Sequence, residues 1–409
     1  MRSSRSLRGL SVLILTSLLI IGTRATVSAA GCSSVDFRVA STLDFTRQPN
    51  FPFFGQTTAD LNSDGKPDLI LTDGENSISV LLNNGGGLFG ETKRYAVGNR
   101  PSQIAVADFN TDGHLDLAIA NSESNHISIL INTGAGQFAS ATNLSVDRRQ
   151  GTIAVADFNN DTKSDLVTAY ASGAGVNVFL GNGAGGFSLA SGSPFIAGTS
   201  TSAITTADFN SDNKPDVLLA DQTGVHLLLG DGTGALSAAS QVYPNASYAL
   251  SSSDVNNDGK PDLVIGSSQL VIRLGDGAGG FSTAATFAHA GGGIVFSVGV
   301  ADIDGDGHQD VAAAVGSGVT FFKGNGIGTF SQTPSYLPAL EPRRVSIADL
   351  DGDGDQDLVS GSSLLLNAGS GVFDGVRAVY PSSSGLAASP REVASGDFNA
   401  DGRTDIAVL

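Results

Sequence analysis

The chain has one cysteine, no tryptophan, and 22 basic residues against 40 acidic ones in 409. Each scarcity closes off a class of explanation. A single thiol, Cys32, cannot form an internal disulfide, so no covalent staple supports the fold. The deficit of lysine and arginine argues against nucleic acid as a partner, because gripping a phosphate backbone needs a basic surface. With no tryptophan and six tyrosines, there is little of the aromatic surface on which sugar rings stack. The apolar stretch Leu10–Ile21 has 12 residues, short of the roughly 20 that span a bilayer, so no transmembrane segment is expected. No segment holds a 3.6-residue apolar period over the length of a helix.

That apolar stretch follows Arg2, Arg5 and Arg8 and precedes Val27-Ser28-Ala29, a small-residue cleavage pattern. Residues 1–30 therefore read as a signal peptide and 31–409 as a single mature domain, secreted or held at the cell surface. Cys32 lies beside the cleavage region, but Ala29-Ala30-Gly31 lacks the larger apolar residue of a lipid-attachment motif. It reads as a free thiol.

What the chain has in excess is aspartate in a fixed arrangement. Asp108–Asp116, DFNTDGHLD, places oxygen-bearing side chains at positions 1, 3, 5 and 9 and a glycine at 6. Side chains at alternate positions converge only if the backbone curls around a common centre, and the glycine allows the sharp turn. Hard oxygens without sulfur or imidazole suit Ca²⁺ rather than zinc or copper. The loop occurs eight times. Position 1 is Asp60, Asp108, Asp157, Asp208, Asp254, Asp302, Asp349 and Asp397. Position 3 is Asn62, Asn110, Asn159, Asn210, Asn256, Asp304, Asp351 and Asn399. Position 5 is Asp64, Asp112, Asp161, Asp212, Asp258, Asp306, Asp353 and Asp401. Position 9 is Asp68, Asp116, Asp165, Asp216, Asp262, Asp310, Asp357 and Asp405. At position 7 the side chain varies freely (Lys66, His114, Lys163, Lys214, Lys260, His308, Asp355, Arg403), as expected where the backbone carbonyl is the ligand.

About one Ca²⁺ per repeat, up to eight, is the expected cofactor. These loops hold 27 of the 40 acidic residues, so much of the acidity reads as unmetallated ligand. An EF-hand would need a bidentate glutamate at position 12 between helices. Ile119 and Leu71 stand there, and the flanks are strand-like. Position 6 departs from glycine at Thr162 and Asn213; β-branched Thr162 tolerates a left-handed backbone poorly, so the loop at Asp157 is expected to be the weakest or most distorted.

The loops recur at intervals of 48, 49, 51, 46, 48, 47 and 48 residues. Within a period, short runs such as Ile104–Ala107, Leu117–Ala120 and Ile127–Ile131 are followed by a glycine-rich turn, Gly134–Phe138, and a more polar fourth run. Four strands per period of this length, apolar on both faces, predict an all-β propeller of four-stranded blades. The glycine-rich turn occurs seven times, and Phe37 precedes Asp60 by 23 residues, as if a fourth strand began the chain. The expectation is eight blades, the last incomplete, closed by an N-terminal outer strand. The alternative is seven blades with a stub at each end.

The run Ala105–Asn121, AVADFNTDGHLDLAIAN, and its seven relatives resemble FG-GAP/VCBS repeats, as in the integrin α-subunit propeller; LGNGAGGF at Leu180–Phe187 fits the bacterial-style variants. The resemblance implies a propeller with Ca²⁺ in the loop between first and second strands, export, and roles in adhesion or carbohydrate binding. The leading functional expectation is a calcium-binding adhesion module for an extracellular protein or glycan. Some eight-bladed calcium propellers similar in repeat pattern are polysaccharide lyases, which makes a calcium-dependent lyase the enzymatic alternative; a purely structural surface array is the third. No catalytic residue is singled out: His114 and His308 at position 7 are expected in solvent, and His126, His226 and His289 have no recurring Asp or Ser partner. Nothing in the sequence fixes the oligomeric state.

Overall fold

Each period contributes four strands that pair in the order in which they are made. In the first, Gln56–Ala59, Asp68–Thr72, Ser77–Leu81 and Lys93–Ala96 form one antiparallel sheet. Six more sheets open at Pro101, Gln150, Ala203, Ala249, Val295 and Val345 and repeat that order. The computed structural model describes residues 55–378 apart from 87, 289–292, 317, 339–343, 361–362, 370 and 372. Within that range 333–338, 363 and 374–378 are described by backbone alone, as are 393–396 and 405–408. The signal-peptide reading of residues 1–30, Cys32 and the strand expected at Phe37 lie outside the described residues.

Two compact units divide the chain: Ala40–Ser389, and Met1–Val39 together with Pro390–Leu409. The described part of the latter is an antiparallel hairpin, Val393–Gly396 with Asp405–Val408. Its two strands flank the eighth loop in sequence.

Within Ala40–Ser389 the seven sheets are blades around an axis. The second strand of each blade is buried along its whole length, as in Asp116–Asn121 and Asp165–Tyr170. This is what runs apolar on both faces require, since one face packs on the preceding blade and the other on the next. Leu117 and Ile119 join Ile70 and Ile78 of the first blade, while Ala118 and Ala120 join Leu166 and Phe179 of the third. The first strands of neighbouring blades line the inside, tied by bonds such as Ser102 Oγ to Gly151 O (2.9 Å) and Thr206 Oγ1 to Val155 O (3.2 Å).

The blade count corrects one expectation. Leu69, Leu71 and Leu81 of the first blade form a single core with Leu350, Val359 and Leu364 of the seventh. Across the same seam Gln56 Nε2 donates to Val359 O (2.7 Å) and Asn83 Nδ2 to Leu350 O (2.9 Å). The first blade's outer face is thus already covered, leaving no place for an eighth blade between them. The ring is seven-bladed, the alternative of the two readings. Each of the seven blades takes its fourth strand from its own repeat, from Lys93–Ala96 in the first to Phe373–Ala378 in the seventh, so none of these blades needs an N-terminal outer strand to complete it.

Candidate metal-binding loops

Antiparallel order puts every loop between first and second strands, and every glycine-rich turn between third and fourth, on one face of the ring. The other two connections of each blade emerge on the opposite face. Among the described residues seven loops lie on the first face.

Each loop is curled by its own side chains. The position-1 carboxylate takes the amide of position 6 on Oδ2 at 2.7–3.1 Å, as Asp108 takes Gly113 and Asp157 takes Thr162. Position 5 accepts the amide of position 7 at 2.9–3.1 Å. In six of the seven loops the position-3 oxygen accepts the amide of position 5 at 3.0–3.3 Å. Two residues per loop pay for the curl with a left-handed backbone. Position 6 does so as read from the sequence, from Asn213 (φ 62°) to Gly354 (φ 95°). Position 4 does so too, a feature the sequence reading missed: Ser63, Thr111, Asn160, Ser211 and Asn257 have φ of 57–59°, and Gly305 and Gly352 follow. The available signal was that position 4 is always small or polar.

Position 9 is built differently. Its carboxylate is fully buried in all seven loops. Oδ2 accepts the amide of position 2 at 2.8–2.9 Å. Oδ1 accepts an amide at or just past the end of the third strand, from Asn83, Asn132, Gly181, Gly230, Gly275, Gly324 or Asn367, at 2.7–2.8 Å. One aspartate therefore latches the loop to the end of the third strand. Burial pushes its carboxyl above the ordinary range despite these amide donors, in Asp310 and Asp357 up to about 6 although each of them accepts a third amide. Some position-5 carboxyls go the other way: the His114 amide holds Asp112 below the ordinary range, and Lys163 does so for Asp161.

The position-7 side chains are not as free as expected. Lys66, Lys163, Lys214 and Lys260 pair with the aspartate two residues earlier at 3.2, 3.0, 3.4 and 3.8 Å. Both members of each pair are more than three-tenths exposed, so screening leaves them weak. His114 and His308 are part-buried rather than solvated, His308 meeting Asn257 of the preceding blade at 3.4 Å. On the opposite face His226 does have partners, Asp221 at 3.5 Å and Thr223 Oγ1 at 3.0 Å; His289 lies outside the described residues.

Neighbouring blades hold the loops from the side. The glycine-rich turn of one blade donates to the position-2 carbonyl of the blade before, as in Gly136 to Leu61 (3.1 Å) and Gly185 to Phe109 (2.9 Å). Asn132 Nδ2 reaches Leu61 O as well, at 2.8 Å.

The donor set fits a hard divalent cation. An ionised carboxylate offers about four lone-pair sites, and the loop amides occupy only one or two of them. Where position 3 is aspartate, three carboxylates come within 4.8 Å of one another: Asp302, Asp304 and Asp310, and Asp349, Asp351 and Asp353. Of the eighth loop, Asp397, Asn399, Asp401 and Arg403 lie outside the described residues, and Asp405 is described by backbone alone.

No helix among the described residues is long and apolar enough to cross a membrane. No curated protein matches the chain. Among solved structures it is similar to an Agrocybe aegerita lectin, reported for specific recognition of non-reducing terminal N-acetylglucosamine (20% identity, TM-score 0.52, 69% of this chain and 79% of that one). It is also similar to BBS1N in complex with ARL6DN (13%, TM-score 0.53, 81% and 95%) and to Saccharomyces cerevisiae Sqt1 (9%, TM-score 0.56, 88% and 93%). At these identities the likeness is one of fold. The family described as FG-GAP-like repeat matches residues 60–119, 108–168, 157–219, 208–265, 254–313 and 302–360, each match running from position 1 of one loop to position 12 of the next. Repeat period, loop geometry and family match thus coincide, and the chain belongs to the FG-GAP-like repeat family.

Proposed function

We propose that this is an exported, calcium-clasped propeller whose loop-bearing face is structural and whose opposite face binds a glycan or protein ligand. The observation that carries the reading is the contrast between faces. One face repeats the same oxygen set in every described loop. The other is made of connections that differ from blade to blade, from Gly266–Leu270 to the long segment between Leu189 and Ala203. Bound Ca²⁺ would supply positive charge at the loop centre, held by the side chains at positions 1, 3, 5 and 9 and the carbonyl at position 7. The chain's own amides already orient those oxygens.

A cleft of about 350 Å³ opens on the variable face between the first two blades, lined by Gly74, Glu75, Asn76, Asn99, Arg100 and Glu123. Arg100 Nη1 meets Glu123 Oε1 at 2.8 Å, and the Arg100 backbone is left-handed (φ 53°). Paired charges beside two amides are suited to hydroxyl-rich or polar peptide ligands. Binding to glycan and extracellular-matrix arrays, with millimolar calcium and after exhaustive metal removal, tests the reading. Calcium-dependent capture together with a melting temperature lowered by chelation is expected; a melting temperature indifferent to chelation would refute the structural role of calcium.

A further inference from the structure

One blade breaks the pattern just before the residue that donates to the position-9 carboxylate. Six blades place an apolar side chain there: Leu82, Ile131, Leu180, Leu229, Leu274 and Leu366. Most of these lie against the glycine-rich turn of the next blade, Leu82 beside Gly136 and Leu274 beside Gly328. The sixth blade has Lys323. Its partner glycine, Gly371, is met by the ring of Phe321 instead, and Lys323 turns back into its own blade's loop. The ammonium is bonded to Asp304 Oδ2 and lies 3.1 Å from Asp306 Oδ2.

Asp304 is a second, independent sign that a cation belongs there. Its side chain is only 4% exposed, and its other oxygen, Oδ1, is buried without a hydrogen-bond partner. A buried carboxylate oxygen without a donor is costly unless positive charge lies close. The seventh loop is the internal control. It carries Asp349, Asp351, Asp353, Asp355 and Asp357, and Leu366 stands where the sixth blade has its lysine.

We propose that Lys323 is a tethered cation for the sixth loop, filling by its ammonium the place that a divalent ion would take in the other loops. The sixth loop then keeps its fold without metal, whereas the seventh, with five carboxylates and no ammonium, depends on metal most. At 42% exposure the lysine is free to withdraw into solvent, so a high calcium concentration displaces it. The inference rests on the calcium reading above, and its test separates the two.

Native mass spectrometry of the full chain counts bound ions over a calcium titration for the wild type and Lys323→Leu, the residue that five other blades carry. The variant is expected to bind one ion more at intermediate calcium. It is also expected to melt lower than the wild type in chelator, with the gap closing in excess calcium. If Leu is poorly accommodated, Lys323→Met retains the stem and serves the same comparison. Wild type and variants binding the same non-zero number of ions, with equal melting shifts in both conditions, would overturn the tethered cation and leave the calcium reading standing. No ion on any of the proteins would overturn both.

Discussion

Asp116 shows how one side chain serves two levels of structure. Its spacing in DFNTDGHLD marks it as a loop ligand, and that much could be read. Its partnership with the Asn132 amide could not, because the donor lies 16 residues away and is brought near only by strand pairing. Removing the side chain leaves the Phe109 and Asn132 amides buried without acceptors. Asp116→Ala should therefore cost roughly 2–5 kcal/mol in urea unfolding of the metal-free protein. Asp221 on the opposite face gives a pH-dependent case. Burial pushes its carboxyl up, but hydrogen bonds from Thr223, Thr199 and Gly224 outweigh that and hold it below the ordinary range. A depressed folded-state value means the unfolded chain binds the proton first as pH falls. The contribution of Asp221 is therefore complete above about pH 4 and lost as pH drops through the depressed value. The stability gap between wild type and Asp221→Asn should be widest near neutrality and narrow below pH 4, as stepped-pH denaturation would show.

At the scale of the element, the nine-residue loop is more uniform than its sequence. Thr162 was the residue expected to distort the third loop, yet its amide reaches Asp157 Oδ2 at 2.7 Å like the glycine amides elsewhere. The strain sits in its own backbone, at φ 68°. A left-handed β-branched residue costs about 1–2 kcal/mol, partly offset by the greater entropy that glycine loses on folding. Thr162→Gly should thus stabilise the protein by about 0.5–1 kcal/mol. Asn213→Gly, where asparagine already tolerates φ 62°, should change it little. Thermal melts of the two variants side by side make the comparison. Positions 1, 3, 5 and 6 were legible because their spacing dictates the curl. Position 4 was not, because serine, threonine and asparagine are ordinary turn residues there and only loops six and seven use glycine.

For the molecule as a whole, the period and the four-strand grammar were written in the spacing of the aspartates. The number of blades in the ring was not. The eighth repeat has the same consensus as the rest, and no residue in it reports whether Leu71 and Leu69 already have partners. That was settled by packing across the seam, where Leu71 meets Val359 and Leu364. A closed ring makes a definite demand. Leu71→Ala should cost about 2–5 kcal/mol, as Leu219→Ala should at the boundary of the third and fourth blades, since both side chains are fully buried. In an open row of blades Leu71 would lie on an end surface, and its truncation would fall within about 0.5 kcal/mol. Chemical denaturation of the pair distinguishes the two.

The four strands of every blade are contiguous in the chain, and none is lent to a neighbour. Among the described residues, the seam between seventh and first blades packs like the other six boundaries but has no direct chain connection across it. Joining the chain there and opening it at any other boundary would leave seven intact sheets and the same set of seven interfaces. Which blade is translated first is a property of the gene, and the ring itself has no beginning.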